Sequence, residues 1–198
     1  WERLEPVLSV LAELYDGTGR KLRLHEANLA AVGRLEQALE GDGRVLHWTG
    51  RADAVERGKM LVRGPAGAER PVVLHAELRP YQQDGLTWLC HLRDHGVGGV
   101  LADDMGLGKT LQTIALLAIE KEQRRMDLPA LVIVPTSLIE GWRRQIAQFA
   151  PHLRVLVLHG GKRHAEFHKV AATDVVLTTY SVLSRDLELQ IGRSIYRS

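Results

Sequence analysis

The chain has 198 residues, 45% hydrophobic and 25% charged, a globular composition with room for one large or two small domains that each bury a core. Its net charge is only +2, from 26 Lys and Arg against 24 Asp and Glu, so any nucleic-acid binding must use a local basic surface and main-chain amides rather than a global field. Cys90 is the single cysteine and excludes an internal disulfide; no apolar run approaches the roughly 18 residues of a membrane span and no signal segment opens the chain, so a cytoplasmic location is expected.

In chain order, residues 1–76 read as a small α+β module with no evident chemistry. Leu4, Leu8, Leu11 and Tyr15 recur at helical spacing before the break Asp16-Gly17-Thr18-Gly19. A second helical pattern runs from Asn28 through Leu29, Val32, Leu35 and Leu39 and stops at Gly41. Short extended runs are expected at 45–49, 60–63 and 72–75, punctuated by Gly64-Pro65-Ala66-Gly67.

From Leu78 onward helices and strands alternate. A helix is expected from near Pro80 to before Gly96. Nearly continuous apolar runs at 99–102, 130–134, 155–159 and 174–178 suit strands buried on both faces of a parallel sheet. Helices are expected between them at 109–126, 138–149 and roughly 163–171, the second opened by a capping box of Ser137 with Glu140. Such alternation with right-handed crossovers gives an α/β, doubly wound parallel sheet, with ligands at the carboxyl ends of the strands.

Between the first of those strands and its helix lie Asp103-Asp104-Met105-Gly106-Leu107-Gly108-Lys109-Thr110, in the strand–loop–helix context of a phosphate-binding loop. Gly106 and Gly108 let the backbone take positive φ and turn its amides toward an anion, and the following helix adds the positive end of its dipole. Lys109 is placed to reach the terminal phosphates of ATP and the Thr110 hydroxyl to hold Mg2+. The generic pattern asks for glycine at position 103, where this chain has Asp, and a bare Gly-Lys-Thr is also an ordinary helix start.

Other residues carry two readings. Gln82 sits on a helix that buries Leu86, Leu89 and Leu92, and by itself is a surface residue. Trp88 and Trp142 lie on apolar faces and read as core packing. His164 and His168 have the i, i+4 spacing of two metal ligands, but Glu166 is displaced from the zinc-protease position, and a solvated face fits better. Cys90 reads as a small core residue. Residues 120–125 read as the exposed end of a helix, with basic side chains complementing its dipole.

Taken together, the ordered segments resemble the Swi/Snf-type ATPases of helicase superfamily two. Leu78-Arg79-Pro80-Tyr81-Gln82-Gln83-Asp84-Gly85 resembles their adenine-side motif, and the stretch from Gly98 to Thr113 their phosphate loop, in which Asp replaces the first glycine. Leu131 to Leu138 with Trp142, His159-Gly160-Gly161-Lys162-Arg163, and Asp174 to Ser181 are similar to three further motifs. The likeness covers about residues 77–187.

This resemblance implies a RecA-like lobe of a two-lobed motor that hydrolyses ATP while translocating on double-stranded DNA, in bacteria beside the nucleoid. It implies nucleotide contacts at Arg79, Gln82 and residues 103–110 (Asp103, Asp104, Met105, Gly106, Leu107, Gly108, Lys109, Thr110), with Gln82 on the adenine edge. Contacts to the DNA backbone are implied at Thr136, Ser137, Arg163, Thr178 and Thr179, a set that reads no sequence. The family's acidic Asp-Glu box does not follow the Thr178-Thr179-Tyr180 segment. A second lobe and its arginine finger, worth about a thousandfold or more in rate, do not follow either. The expectation is therefore an N-terminal module at 1–76, a partial first lobe at 77–189 that binds nucleotide without turnover, and a tail at 190–198 outside the pattern. The alternative is a non-catalytic nucleotide sensor or scaffold that retains the loop.

Overall fold

A computed structural model describes residues 5–14, 28–40, 52–65, 72–161 and 163–186. The expected break at 16–19, the extended run at 45–49 and the tail at 190–198 lie outside the described residues. The chain divides into two compact units, Trp1–Ala68 with Thr87–Val100, and Glu69–Leu86 with Leu101–Ser198.

The first unit contains α1 (Glu5–Leu14), α2 (Leu29–Glu40), α3 (Ala52–Arg63) and the later turns of α4 (Pro80–Asp94). Val10, Ala31 and Leu35 form a small core flanked by Val7, Leu11 and Leu39. Helices α2 and α3 touch backbone to backbone: a Cβ on Gly33 would lie 2.2 Å from Gly58 O. Lys59 pairs with Glu36 across the same contact at 3.3 Å. Residues 60–63, expected to be extended, are the last turn of α3. Gly58, Leu61 and Val62 face inward at helical spacing while Met60 and Arg63 are exposed, a period too short to recognise in a four-residue run. The Arg57 guanidinium donates to His95 O at 2.9 and 3.1 Å, and Gly96 turns the chain out of α4 at φ 63°.

The second unit is an α/β layer around three parallel strands: β1 (Ala130–Ile133), β2 (Val155–Val157) and β3 (Val175–Thr178), in the order β1-β3-β2. The register aligns Ala130 and Val155 with Val175. Strand β3 is buried on both faces. Val175 and Leu177 pack with Ile114, Leu117 and Ala118 of α5 (Lys109–Glu122) and Ile146 of α6 (Thr136–Phe149). Val176 points the other way, toward Leu156, Leu158 and Val170. A 3-10 helix (Arg163–Ala172) carries Val170, and α7 (Tyr180–Asp186) follows β3.

Five sequence expectations are corrected here. Residues 99–102 join no ladder among the described residues: Val100 is 83% exposed and Gly99 is pressed against Trp88 and Leu92. Residues 72–75 alternate, with Val72 and Leu74 on the core and Val73 exposed, but the Val73 N–H donates to Glu122 and the His75 N–H to Phe149 O in place of a strand partner. Helix α5 ends at Glu122 rather than 126, because Arg124 takes φ 54° and the N–H groups of Arg124 and Arg125 return to Lys121 O and Glu120 O, a Schellman termination. Glu120 is consequently buried and paired with Arg125, not part of an exposed end. Helix α6 starts at Thr136 behind Pro135 without a side-chain cap, and Glu140 pairs with Arg143 instead of closing a box with Ser137.

Ahead of β3, buried Asp174 accepts hydrogen bonds from Lys121, from the Arg154 N–H at 2.9 Å and from the Arg154 guanidinium at 3.0 and 3.1 Å. Burial alone would raise its carboxyl, but these bonds outweigh burial and hold it far below the usual carboxylate range. The cluster ties α5 and the start of β2 to the strand between them.

Candidate functional site

Residues 103–110 form the loop that leads into α5. Gly108 is the N-cap of that helix, in the left-handed region at φ 85° and ψ 30°, and no side chain caps the helix start. Its first-turn N–H groups have no intrahelical acceptor, and α5 directs its positive end at the same place. Gly106 also has positive φ, 87°, and a Cβ there would meet nothing within 4 Å. Met105 is almost wholly exposed, so the loop's apex is open.

Lys109 curls its ammonium onto the loop itself, donating to Asp103 O at 2.5 Å and Asp104 O at 2.8 Å. A phosphate oxygen would replace two neutral acceptors with an anionic one, turning an ion–dipole contact into an ion pair. Thr110 follows Lys109 in the first turn of α5. Amides, an ammonium and a hard hydroxyl ligand on one turn form a donor set that fits a polyphosphate with magnesium.

Gln82 is not the surface residue of the plainer reading. It is buried on the first turn of α4, its Oε1 accepting from the Arg79 N–H and its Nε2 donating to Leu107 O, both at 3.0 Å. It braces the loop from outside. Each amide atom keeps one further hydrogen-bonding valence. Arg79 itself is exposed at the head of the helix.

The residues expected on DNA separate into two groups. Thr136 and Ser137 are exposed at the start of α6, at the carboxyl end of β1. The side chains of the other three are engaged within the fold. Thr178 is buried and donates its hydroxyl to Leu158 O at 3.0 Å; Thr179 is buried and accepts the Val182 N–H at 3.3 Å, capping α7. Arg163 makes a bidentate pair with Asp186, both bonds 2.7 Å, and a third bond to Gly160 O. Its guanidinium holds the Asp186 carboxyl below the ordinary range, against the effect of burial. With side-chain exposure of 11%, it joins the 3-10 helix to α7. Sequence reasoning placed these side chains by motif position, which does not reveal which polar groups the fold itself consumes.

One participant was missed. Gln112 is fully buried on α5 and donates to Asp103 Oδ2 at 3.1 Å. The available signal was a polar residue amid the apolar face Ile114, Ala115 and Leu117.

Against this geometry stand the relatives. Residues 81–195 match the SNF2-related domain. The chain belongs to that family. It is 34% identical over 68% of its length to the chromatin-remodeling ATPase INO80 of Gibberella zeae, and 48% identical over 56% of its length to YwqA of Bacillus subtilis, named for an ATP-dependent helicase/translocase role. It spans 8% and 12% of those two proteins. Among solved structures it is similar to the SWI2/SNF2 ATPase core of Sulfolobus solfataricus in complex with dsDNA. That match has 45% identity and a TM-score of 0.56, and covers 61% of this chain and 25% of that one.

Proposed function

We propose that this SNF2-related chain binds ATP with Mg2+ in the 103–110 loop and carries part of the RecA-like first lobe of a DNA-dependent ATPase that translocates on duplex DNA. The single observation that carries the reading is the loop entering α5 on two left-handed glycines, with Lys109 and Thr110 on the first turn. The names of the relatives and the duplex bound to the Sulfolobus core support the remainder.

In this reading the α5 N–H groups bind the phosphates and Lys109 exchanges its two loop carbonyls for terminal phosphate oxygens. Thr110 would hold the magnesium, which when bound would supply positive charge beside the phosphates. Gln82 uses its remaining donor and acceptor on the adenine edge. Thr136 and Ser137 meet DNA phosphates at the head of α6, giving sequence-tolerant binding that weakens with salt. A cytoplasmic location, beside the nucleoid if the protein is bacterial, goes with this reading.

The test is ATP hydrolysis by the full-length gene product with and without duplex DNA. The expected result is stimulation by duplex and a fall to background in Lys109→Ala. A rate indifferent to both DNA and that substitution would overturn the motor reading and favour a nucleotide-binding scaffold.

A further inference from the structure

Within the second unit, one fully buried polar side chain is only half satisfied. Gln112 donates Nε2 to Asp103, while its Oε1 has no hydrogen-bond partner among the described residues. A buried carbonyl left unpaired is unfavourable, and a methionine would fill the same volume without it. What the carboxamide adds over an apolar side chain is the donation to Asp103. On its other side the group packs into the space that a Cβ on Gly85 of α4 would need, since such a Cβ would lie 2.0 Å from Oε1. Asp103 is also the residue whose main-chain carbonyl receives Lys109 at 2.5 Å. A line of contacts therefore runs from Gly85 through Gln112 and Asp103 to the ammonium.

We infer that Gln112 is a positioning residue for the phosphate loop: wedged against Gly85, it fixes Asp103 and thereby sets where Lys109 rests and how readily the loop accepts phosphate. The Asp at 103 supplies a side-chain acceptor that a glycine at this position lacks, so the departure from the generic loop and the buried amide form one device. Gln82 restrains the loop's far end through Leu107 and Gln112 its near end, leaving the glycine-rich apex between two amide anchors. The inference rests on the ATP reading above.

The experiment titrates a fluorescent ADP analogue with Mg2+ into the full-length protein and into Gln112→Met, Asp103→Ala, the double variant and Gly85→Ala, and records each melting temperature. Gln112→Met removes the unpaired carbonyl, so its melting temperature holds or rises, while nucleotide affinity falls about tenfold, the weight of a lost charge-assisted bond. The double variant loses no more than Asp103→Ala alone, because Gln112 acts through Asp103. Gly85→Ala, which improves helix propensity but displaces the amide, loses affinity as well and serves if Gln112→Met does not fold. Wild-type affinity in Gln112→Met or Gly85→Ala, or additive losses in the double variant, overturns the inference while leaving the ATP reading intact. No binding by the wild type overturns both.

Discussion

Gly108 shows how much one residue carries at this site. Its φ of 85° is left-handed, and a Cβ would come within 2.3 Å of Gln82 Nε2. Substitution therefore strains the backbone and pushes away the amide that holds Leu107 O. Gly108→Ala is expected to cost about 1–2 kcal/mol of stability from the conformation alone and to weaken Mg-ATP binding by more than tenfold. Thermal melting and a nucleotide titration read the two effects separately. Wild-type affinity in this variant would mean the loop does not need the turn described here. Arg163 teaches the converse at the same scale. Its charge and position suit a phosphate, yet two of its bonds already go to Asp186 and a third to Gly160 O, so the guanidinium joins the 3-10 helix to α7.

At the scale of elements, the end of α5 carries its own prediction. Arg124 occupies the left-handed position of a Schellman motif, where glycine is preferred. Arg124→Gly should stabilise the protein by about 1 kcal/mol, raising the melting temperature by about 2–4 °C; an unchanged or lowered value contradicts this account of the helix end. The same helix shows what the sequence makes legible. Strand β3 is readable because a strand buried on both faces must be apolar throughout, β1 and β2 because the half-buried strands beside it carry the same apolar runs, and the start of α5 because glycines, Lys and Thr each have a distinct task. Residues 99–102 are equally apolar but pair with no strand among the described residues, since a ladder depends on a neighbour that local composition does not specify. The end of α5 was unreadable because an arginine stands where a glycine would have marked the stop. The roles of Thr178 and Thr179 were hidden because a hydroxyl looks the same in sequence whether it caps a helix or waits for a ligand.

For the molecule as a whole, the parallel order β1-β3-β2 brings the carboxyl ends of all three strands to one edge of the sheet. The exposed Thr136 and Ser137 stand there, while α5, which the phosphate loop opens, covers one face of β3. Membership of the SNF2-related family gives this arrangement its context, and the two curated relatives are many times longer than the chain. Every functional step proposed for the larger machine still begins with a polyphosphate meeting the start of one helix. The most direct measurement is calorimetric titration of Mg-ATP into the wild-type protein and Lys109→Ala under identical salt. The account predicts one saturable site in the wild type and a loss of at least tenfold in affinity on removing the ammonium. Equal affinity in the two proteins, or no binding by the wild type, would contradict it.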